Sequence, residues 1–290
     1  MTQIITSLAE VSDRYDAVFC DLWGCLHNGR APFSPAVQAL QEFRAKGGTV
    51  VLLTNAPRPR AAVAEQLEKI GVPRDCWDVI TTSGDSARYA MFQGAVGEKV
   101  FFIGYERDLT FFEPLEISEN SVSITRVPLE EAEGIVCCGP TDPYADPAVW
   151  RPEFLYAKQK RLKLLCANPD VIVDFGDRRQ WCAGALAALY TEMGGESLYF
   201  GKPHPPIYDL ARRRLAALGK LPPDHRILAI GDGIQTDIAG AIGEDLDSLF
   251  ITGGLAAEET GTNGQPDPEA LSRYLEREKY DPMYSIGFLQ

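Results

Sequence analysis

The chain has 290 residues, 45% of them hydrophobic and 24% charged, with a net charge of −13 and a pI near 4.8. That length allows two domains or one large core. The acidic balance excludes a nucleic-acid backbone as partner, which needs a basic face, but not a small phosphorylated molecule, for which one lysine, one Mg2+ and a few amides suffice. No apolar window reaches the length that spans a bilayer, and the acidic N-terminus lacks the basic start of a signal peptide. The seven cysteines (20, 25, 76, 137, 138, 166 and 182) form no Cys-x-x-Cys pair, and their odd number cannot pair fully within one chain. They read as reduced, buried thiols of a cytoplasmic protein.

In chain order, "AVFCDL" (17–22) predicts a buried strand, and "SPAVQALQEFRAKGG" (34–48) a helix with Ser34 as N-cap, Pro35 at N1 and a glycine stop. "TVVLLTN" (49–55) is a second strand, continuous and β-branched as a parallel sheet requires. "RAAVAEQLEKIG" predicts a helix, "DVITTSG" a strand and "DSARYAMFQ" a helix. A second set follows: strands "KVFFIG" and "GIVCCG", helix "WRPEFLYAKQKR", strand "KLLCAN" and helix "RRQWCAGALAALYTEMG" (178–194). The last part returns to strand "RILAIGDG", helix "QTDIAGAIG" and strand "DSLFITGG". The class is α/β, a doubly wound parallel-sheet core with an inserted α/β unit. The divisions expected are 1–83 and 197–290 for the core and 84–196 for the insertion.

Four core segments carry the chemistry, because the carboxyl ends of strands in an open α/β sheet form the ligand crevice. They supply Asp21 ("FCDLWG"), Thr54 and Asn55 ("LLTNAP"), Lys202 ("FGKPHP"), and Asp232 and Asp237 ("AIGDGIQTD"). Three converging carboxylates repel one another; a hard divalent ion such as Mg2+ relieves this. Taken singly, each has a plainer reading. Asp21 could cap a strand, Thr54–Asn55 could open a turn, Lys202 could be a solvated loop lysine, and Asp232 and Asp237 could mark a turn and a helix start. His27 beside Asn28–Gly29 reads as a turn residue, His204 as a cap or packing residue, and Arg212–Arg214 as an exposed helix face.

In this order, with an insertion between the second and third, the four motifs resemble the haloacid dehalogenase (HAD) superfamily, in particular its class II, subclass A branch with a large α/β cap. The cap segment "CANPD" is similar as well. The resemblance implies that Asp21 attacks phosphorus to give an aspartyl-phosphate, that Thr54 donates to a phosphoryl oxygen, and that Lys202 neutralises charge. It implies Mg2+ held by Asp21, Asp232 and the Trp23 backbone carbonyl, with Asp237 in its water shell, and substrate contacts from Asn55, Asn168 and Asp170. The implied partner is a small phosphorylated metabolite such as a sugar phosphate or nucleotide, with no nucleic acid and no membrane; homodimerisation is left open.

One position departs from the pattern. Phosphatases of the superfamily carry a second aspartate two residues after the nucleophile, a general acid and base; here stands Trp23. An indole cannot do that work, and the missing contribution is typically about 10²- to 10⁴-fold. The expected activity is Mg2+-dependent hydrolysis of small phosphate monoesters. The alternatives are hydrolysis of activated acyl or aryl phosphates, and a phosphometabolite-binding or regulatory protein with little turnover.

Overall fold

Strand β2 (Ala17–Cys20) and strand β3 (Thr49–Thr54) are buried at every position, which explains their unbroken apolar runs. Their side chains still alternate between two faces. Val18, Cys20, Val50 and Leu52 enter one core with Leu40 and Phe43. Phe19, Val51 and Leu53 enter another with Ile207, Tyr208 and Ala211. This is a computed structural model, and it describes residues 2–114, 121–175 and 178–290.

The first sheet has seven strands. Besides β2 and β3 it takes β1 (Gln3–Ile4), β4 (Val79–Thr82), β12 (Ile227–Gly231), β13 (Asp247–Ile251) and β14 (Tyr284–Ile286), in the order β1-β14-β13-β12-β2-β3-β4. Every neighbouring pair is parallel. The chain winds outward from β2 on one side and from β12 on the other, so the order reverses between these two strands. A crevice opens at such a switch point.

The second sheet has five parallel strands: β5 (Lys99–Ile103), β6 (Thr125–Arg126), β7 (Gly134–Cys137), β8 (Lys163–Cys166) and β11 (Glu196–Tyr199), in the order β11-β8-β7-β5-β6. Helices α4 (Arg151–Gln159) and α5 (Ala183–Glu192) cover one face through Phe154, Leu186 and Tyr190. Helix α3 (Ser83–Phe92) covers the other through Ala87 and Met91. A two-stranded antiparallel ribbon, β9 (Ile172–Phe175) with β10 (Arg178–Trp181), precedes α5. Helices α1 (Ser34–Ala45), α2 (Arg60–Lys69), α6 (Pro205–Ala217), α7 (Ala239–Gly243) and α8 (Pro268–Glu278) complete the chain.

Several local expectations change. Phe33 is the N-cap of α1 and Ser34 is already helical, with no side-chain cap. Residues 178–181 are strand rather than the first turn of a helix, because they find antiparallel partners in 172–175. Strand β11 runs past residue 196 and pairs with β8, so the second sheet extends beyond the expected division. The arginine run is no simple exposed face. Arg214 bonds Asp85 at 2.6 Å and Arg212 bonds Glu244 at 2.6 Å, leaving Arg213 exposed.

Candidate active site

Asp21 follows β2 directly. Its N–H donates to the Ile230 carbonyl (2.9 Å), extending the β2–β12 ladder by one residue and bringing the carboxylate out at the switch point. The chain then turns through Gly24, at φ +72°, where an added Cβ would lie 2.2 Å from Asp232 Oδ2. Only glycine allows both that conformation and that approach. On the far side of Asp232 the Leu255 N–H donates to Oδ2 at 3.1 Å.

Asp237 belongs to a single π-helical turn, Ile234–Ile238, that leads into α7. The wider turn, closed on the Gly233 carbonyl by the Asp237 and Ile238 amides, points this side chain back to the strand ends. There it meets Lys202, whose Nζ donates to Asp21 Oδ1 at 2.7 Å and to Asp237 Oδ1 at 2.6 Å. Lys202 is 2% exposed and therefore held by design of the fold rather than solvated.

What fixes Lys202 is Asn55. Its Oδ1 accepts the Lys202 N–H at 2.7 Å, and its Nδ2 donates to the Lys202 carbonyl at 3.1 Å and to Asp170 Oδ1 at 2.8 Å. Both donors of the amide are thus used on protein groups. The Asn55 side chain therefore positions Lys202 and Asp170. Thr54, 1% exposed, accepts the Ala56 N–H on Oγ1 at 3.2 Å, which leaves its O–H to donate. Asn168 caps its own turn, Oδ1 accepting the Asp170 N–H at 3.0 Å.

The electrostatics follow from three buried carboxylates, Asp21, Asp232 and Asp237, and the half-buried Asp170 around one ammonium. Burial pushes Asp21 up, against the pull of Lys202. Burial and repulsion from Asp21 and Asp237 push Asp232 well above the carboxylate range. Burial raises Asp237 and Asp170 each to about 6. Burial alone would lower Lys202, but Asp21, Asp237 and Asp170 outweigh it and hold the ammonium charged. The set is short of positive charge, which is the condition a divalent cation satisfies. Asp21 and Asp232 bring carboxylate oxygens within 4.8 Å of each other, which fits such an ion; the neighbouring Cys25 thiol, kept protonated by burial, is no ligand for a hard cation.

Two cavities meet at Asp21, Trp23 and Asp170: one of about 560 Å³ that Thr54 also lines, and one of about 190 Å³ that Asp232 and Asp237 line. Trp23 therefore occupies the wall where a second acid would stand. His27 lies behind it, 1% exposed, its ring edge-on to the indole with centroids 5.1 Å apart. Its Nδ1 accepts the Gly29 N–H at 3.0 Å, and burial lowers its pKa to about 4. A neutral, enclosed imidazole cannot stand in for the missing acid. His204 stacks on Tyr199, with centroids 4.9 Å apart.

Sequence reasoning missed the rest of the larger cavity. Arg58, Tyr105, Arg107 and Trp181 line it from loops and short elements. The "RPR" that follows the Thr54–Asn55 loop was the one available sign of charge there.

Known proteins resemble this chain along most of its length. A family model described as haloacid dehalogenase-like hydrolase matches residues 18–118, and a HAD-hydrolase-like model matches residues 199–277. A solved haloacid dehalogenase-like hydrolase from Brucella suis 1330 is 39% identical, with a TM-score of 0.86 over 99% of this chain and 100% of that one. The D-glycerol 3-phosphate phosphatase of Mycobacterium tuberculosis is 26% identical over 89% of this chain and 69% of its own length. The ribonucleotide monophosphatase NagD of Escherichia coli K12 is 25% identical over 83% of this chain and 88% of its own. With a family model on each half of the sequence and a relative of this identity along all of it, the chain belongs to the haloacid dehalogenase-like hydrolases.

Proposed function

We propose that this phosphatase hydrolyses small phosphate monoesters with Mg2+ through an aspartyl-phosphate on Asp21. The observation that carries the reading is the buried ammonium of Lys202 shared by Asp21 and Asp237, with Asp21 itself lining a 560 Å³ cavity. A cavity of this size suits a small ligand.

An Asp21 carboxylate oxygen forms a bond to phosphorus as the ester O–P bond breaks, and the leaving oxygen departs with the bonding pair. Water then attacks phosphorus and returns Asp21 as a carboxylate. Thr54 donates its O–H to a phosphoryl oxygen, and Lys202 holds Asp21 ionised and oriented. Asp21, Asp232 and the Trp23 carbonyl would hold the metal, with Asp237 ordering a water beside it. When bound, the ion neutralises charge on the phosphoryl oxygens. The second sheet is read as a cap that closes on the crevice, with Asn168 and Asp170 facing substrate, and the seven unpaired, buried cysteines support a reducing, cytoplasmic setting.

Trp23 shapes the choice of substrate. With an indole in the wall and His27 enclosed behind it, the leaving oxygen departs with little proton assistance, which favours acyl and aryl phosphates over alkyl ones. The same substitution supports a second reading, a metabolite-binding protein with little turnover. A phosphate-release screen across acyl, aryl and alkyl phosphates, with Mg2+ or EDTA, separates them. Release from none of them rejects the phosphatase.

A further inference from the structure

The larger cavity is lined by two positive charges that the chemistry at Asp21 does not use. Arg58 comes from the loop after β3 in the first sheet. Arg107 comes from the 3-10 turn Glu106–Phe112 after β5 in the second. They therefore approach one cavity from two sides. Arg58 is half-buried and hydrogen-bonds the Gln66 side chain. Arg107 lies over the Tyr105 ring, its Cζ 4.7 Å from the centroid. Among the described residues neither makes an ion pair with a carboxylate.

A half-buried arginine without an ion-pair partner, as Arg58 is, is uncommon because the desolvated charge is unfavourable, whereas Arg107 reaches the cavity from the exposed surface. Here burial and the neighbouring Arg107 push the Arg58 guanidinium down, and the nearby Asp108 only partly opposes them. Besides Asp21 and Asp170, two acids line this cavity. Asp108 is 3% exposed and its Oδ2 accepts the Tyr105 N–H at 3.1 Å, closing its own turn. Glu106 is exposed. Neither neutralises the pair by contact, so a site for an anion remains.

We infer that this end of the cavity is a subsite for a second anionic group, a carboxylate or phosphate carried on the leaving part of the ester. The inference rests on the phosphatase reading and narrows it to doubly anionic substrates. A guanidinium fork suits either oxyanion, with two parallel donors to two oxygens. A ligand spanning from Asp21 to both arginines would tie the two sheets together and shut out water. It also supplies what Trp23 removes: binding energy at a remote group that orients the ester when no proton donor assists departure.

The test is equilibrium binding, by calorimetry with Mg2+, of two phosphonates that cannot be hydrolysed: 4-carboxybenzylphosphonate and its methyl ester. The unmodified protein should bind the acid at least about tenfold more tightly than the ester. The ratio, measured within each protein, should fall severalfold in Arg107→Gln and to about one in Arg58→Gln/Arg107→Gln. Because each protein supplies both affinities, a general loss of folding or metal cancels. The surface variant Arg107→Gln guards against a double variant that does not fold. Equal affinities in the unmodified protein, binding of neither phosphonate, or a ratio that survives both substitutions overturns the subsite. Hydrolysis of p-nitrophenyl phosphate is scored separately. Its absence contradicts the phosphatase reading and leaves the measured ratio to decide whether the anion subsite exists.

Discussion

Trp23 presents its indole to the ring of His27 at a 72° interplanar angle, and the imidazole behind it is sealed from solvent. The wall position that would carry an acid is therefore apolar, and the nearest titratable ring is locked neutral. By NMR, the His27 imidazole should titrate with a midpoint of about 4, against the ordinary 6.5. The sign follows from the depressed value. The unfolded chain takes up the proton first, so this residue's share of stability is complete above 6.5 and is lost as pH falls towards 4. A midpoint at 6 or above would return His27 to consideration as the proton donor.

Without that donor, the rate of phosphoryl transfer to Asp21 should follow leaving-group basicity. In pre-steady-state measurements across substituted phenyl phosphates, acetyl phosphate and glycerol phosphate, the activated esters should react fastest and the alkyl ester slowest. Trp23→Asp should raise the alkyl rate by about 10²-fold, the low end of a general-acid contribution. A rate indifferent to the leaving group would mean that some other residue protonates it.

Lys202 is the only cation hydrogen-bonded to Asp21 and Asp237 among the described residues. Lys202→Met leaves two buried carboxylates facing each other and should destabilise the metal-free protein by about 3–5 kcal/mol in urea unfolding. Adding Asp237→Asn should recover part of that loss, a coupling that a double-mutant cycle reads directly. A loss in the double variant equal to the sum of the two single losses would show that the groups are independent.

The carboxylates also set a pH dependence opposite to that of His27. Burial raises Asp237 to about 6 from an ordinary 3.8, so the folded state keeps a proton that the unfolded chain has lost. Stability of the metal-free protein from this group therefore falls as pH rises from 3.8 towards 6. Asp170 acts in the same sense over the same window. Mg2+ should relieve the cost, so the gain in Tm from Mg2+ over EDTA should be about 3 °C or more larger at pH 7 than at pH 4. His27 contributes to both curves and drops out of their difference. A gain independent of pH would place the ion away from these carboxylates.

The sequence made the core strands and their chemistry readable for one reason. A parallel strand buried on both faces needs an unbroken apolar run, and Asp21, Thr54 and Asp232 each sit where such a run ends. What could not be read depends on pairing between distant residues. The Asn55–Asp170 bond joins positions 115 apart, and Arg214 finds Asp85 across 129 residues. Residues 178–181 look helical locally and become strand only because 172–175 lie alongside. The arginines of the larger cavity sit on a loop and a short turn, where no periodicity marks them. Asn168 and Asp170 line the larger cavity together with Asp21, and the Asn55 side chain bonds the Lys202 backbone, placements that depend on residues far apart in the chain.

The central claim is that Asp21 is the group that receives the phosphoryl. Rapid acid quench during a single turnover of p-nitrophenyl phosphate, followed by peptide mass spectrometry, tests it directly. A burst of nitrophenol should be matched by one phosphoryl group on the peptide that contains Asp21, decaying as phosphate appears, with neither burst nor adduct in Asp21→Asn. Nitrophenol released at the same rate with no phosphoryl on Asp21 at any time, or with full activity in Asp21→Asn free of reversion, would contradict it.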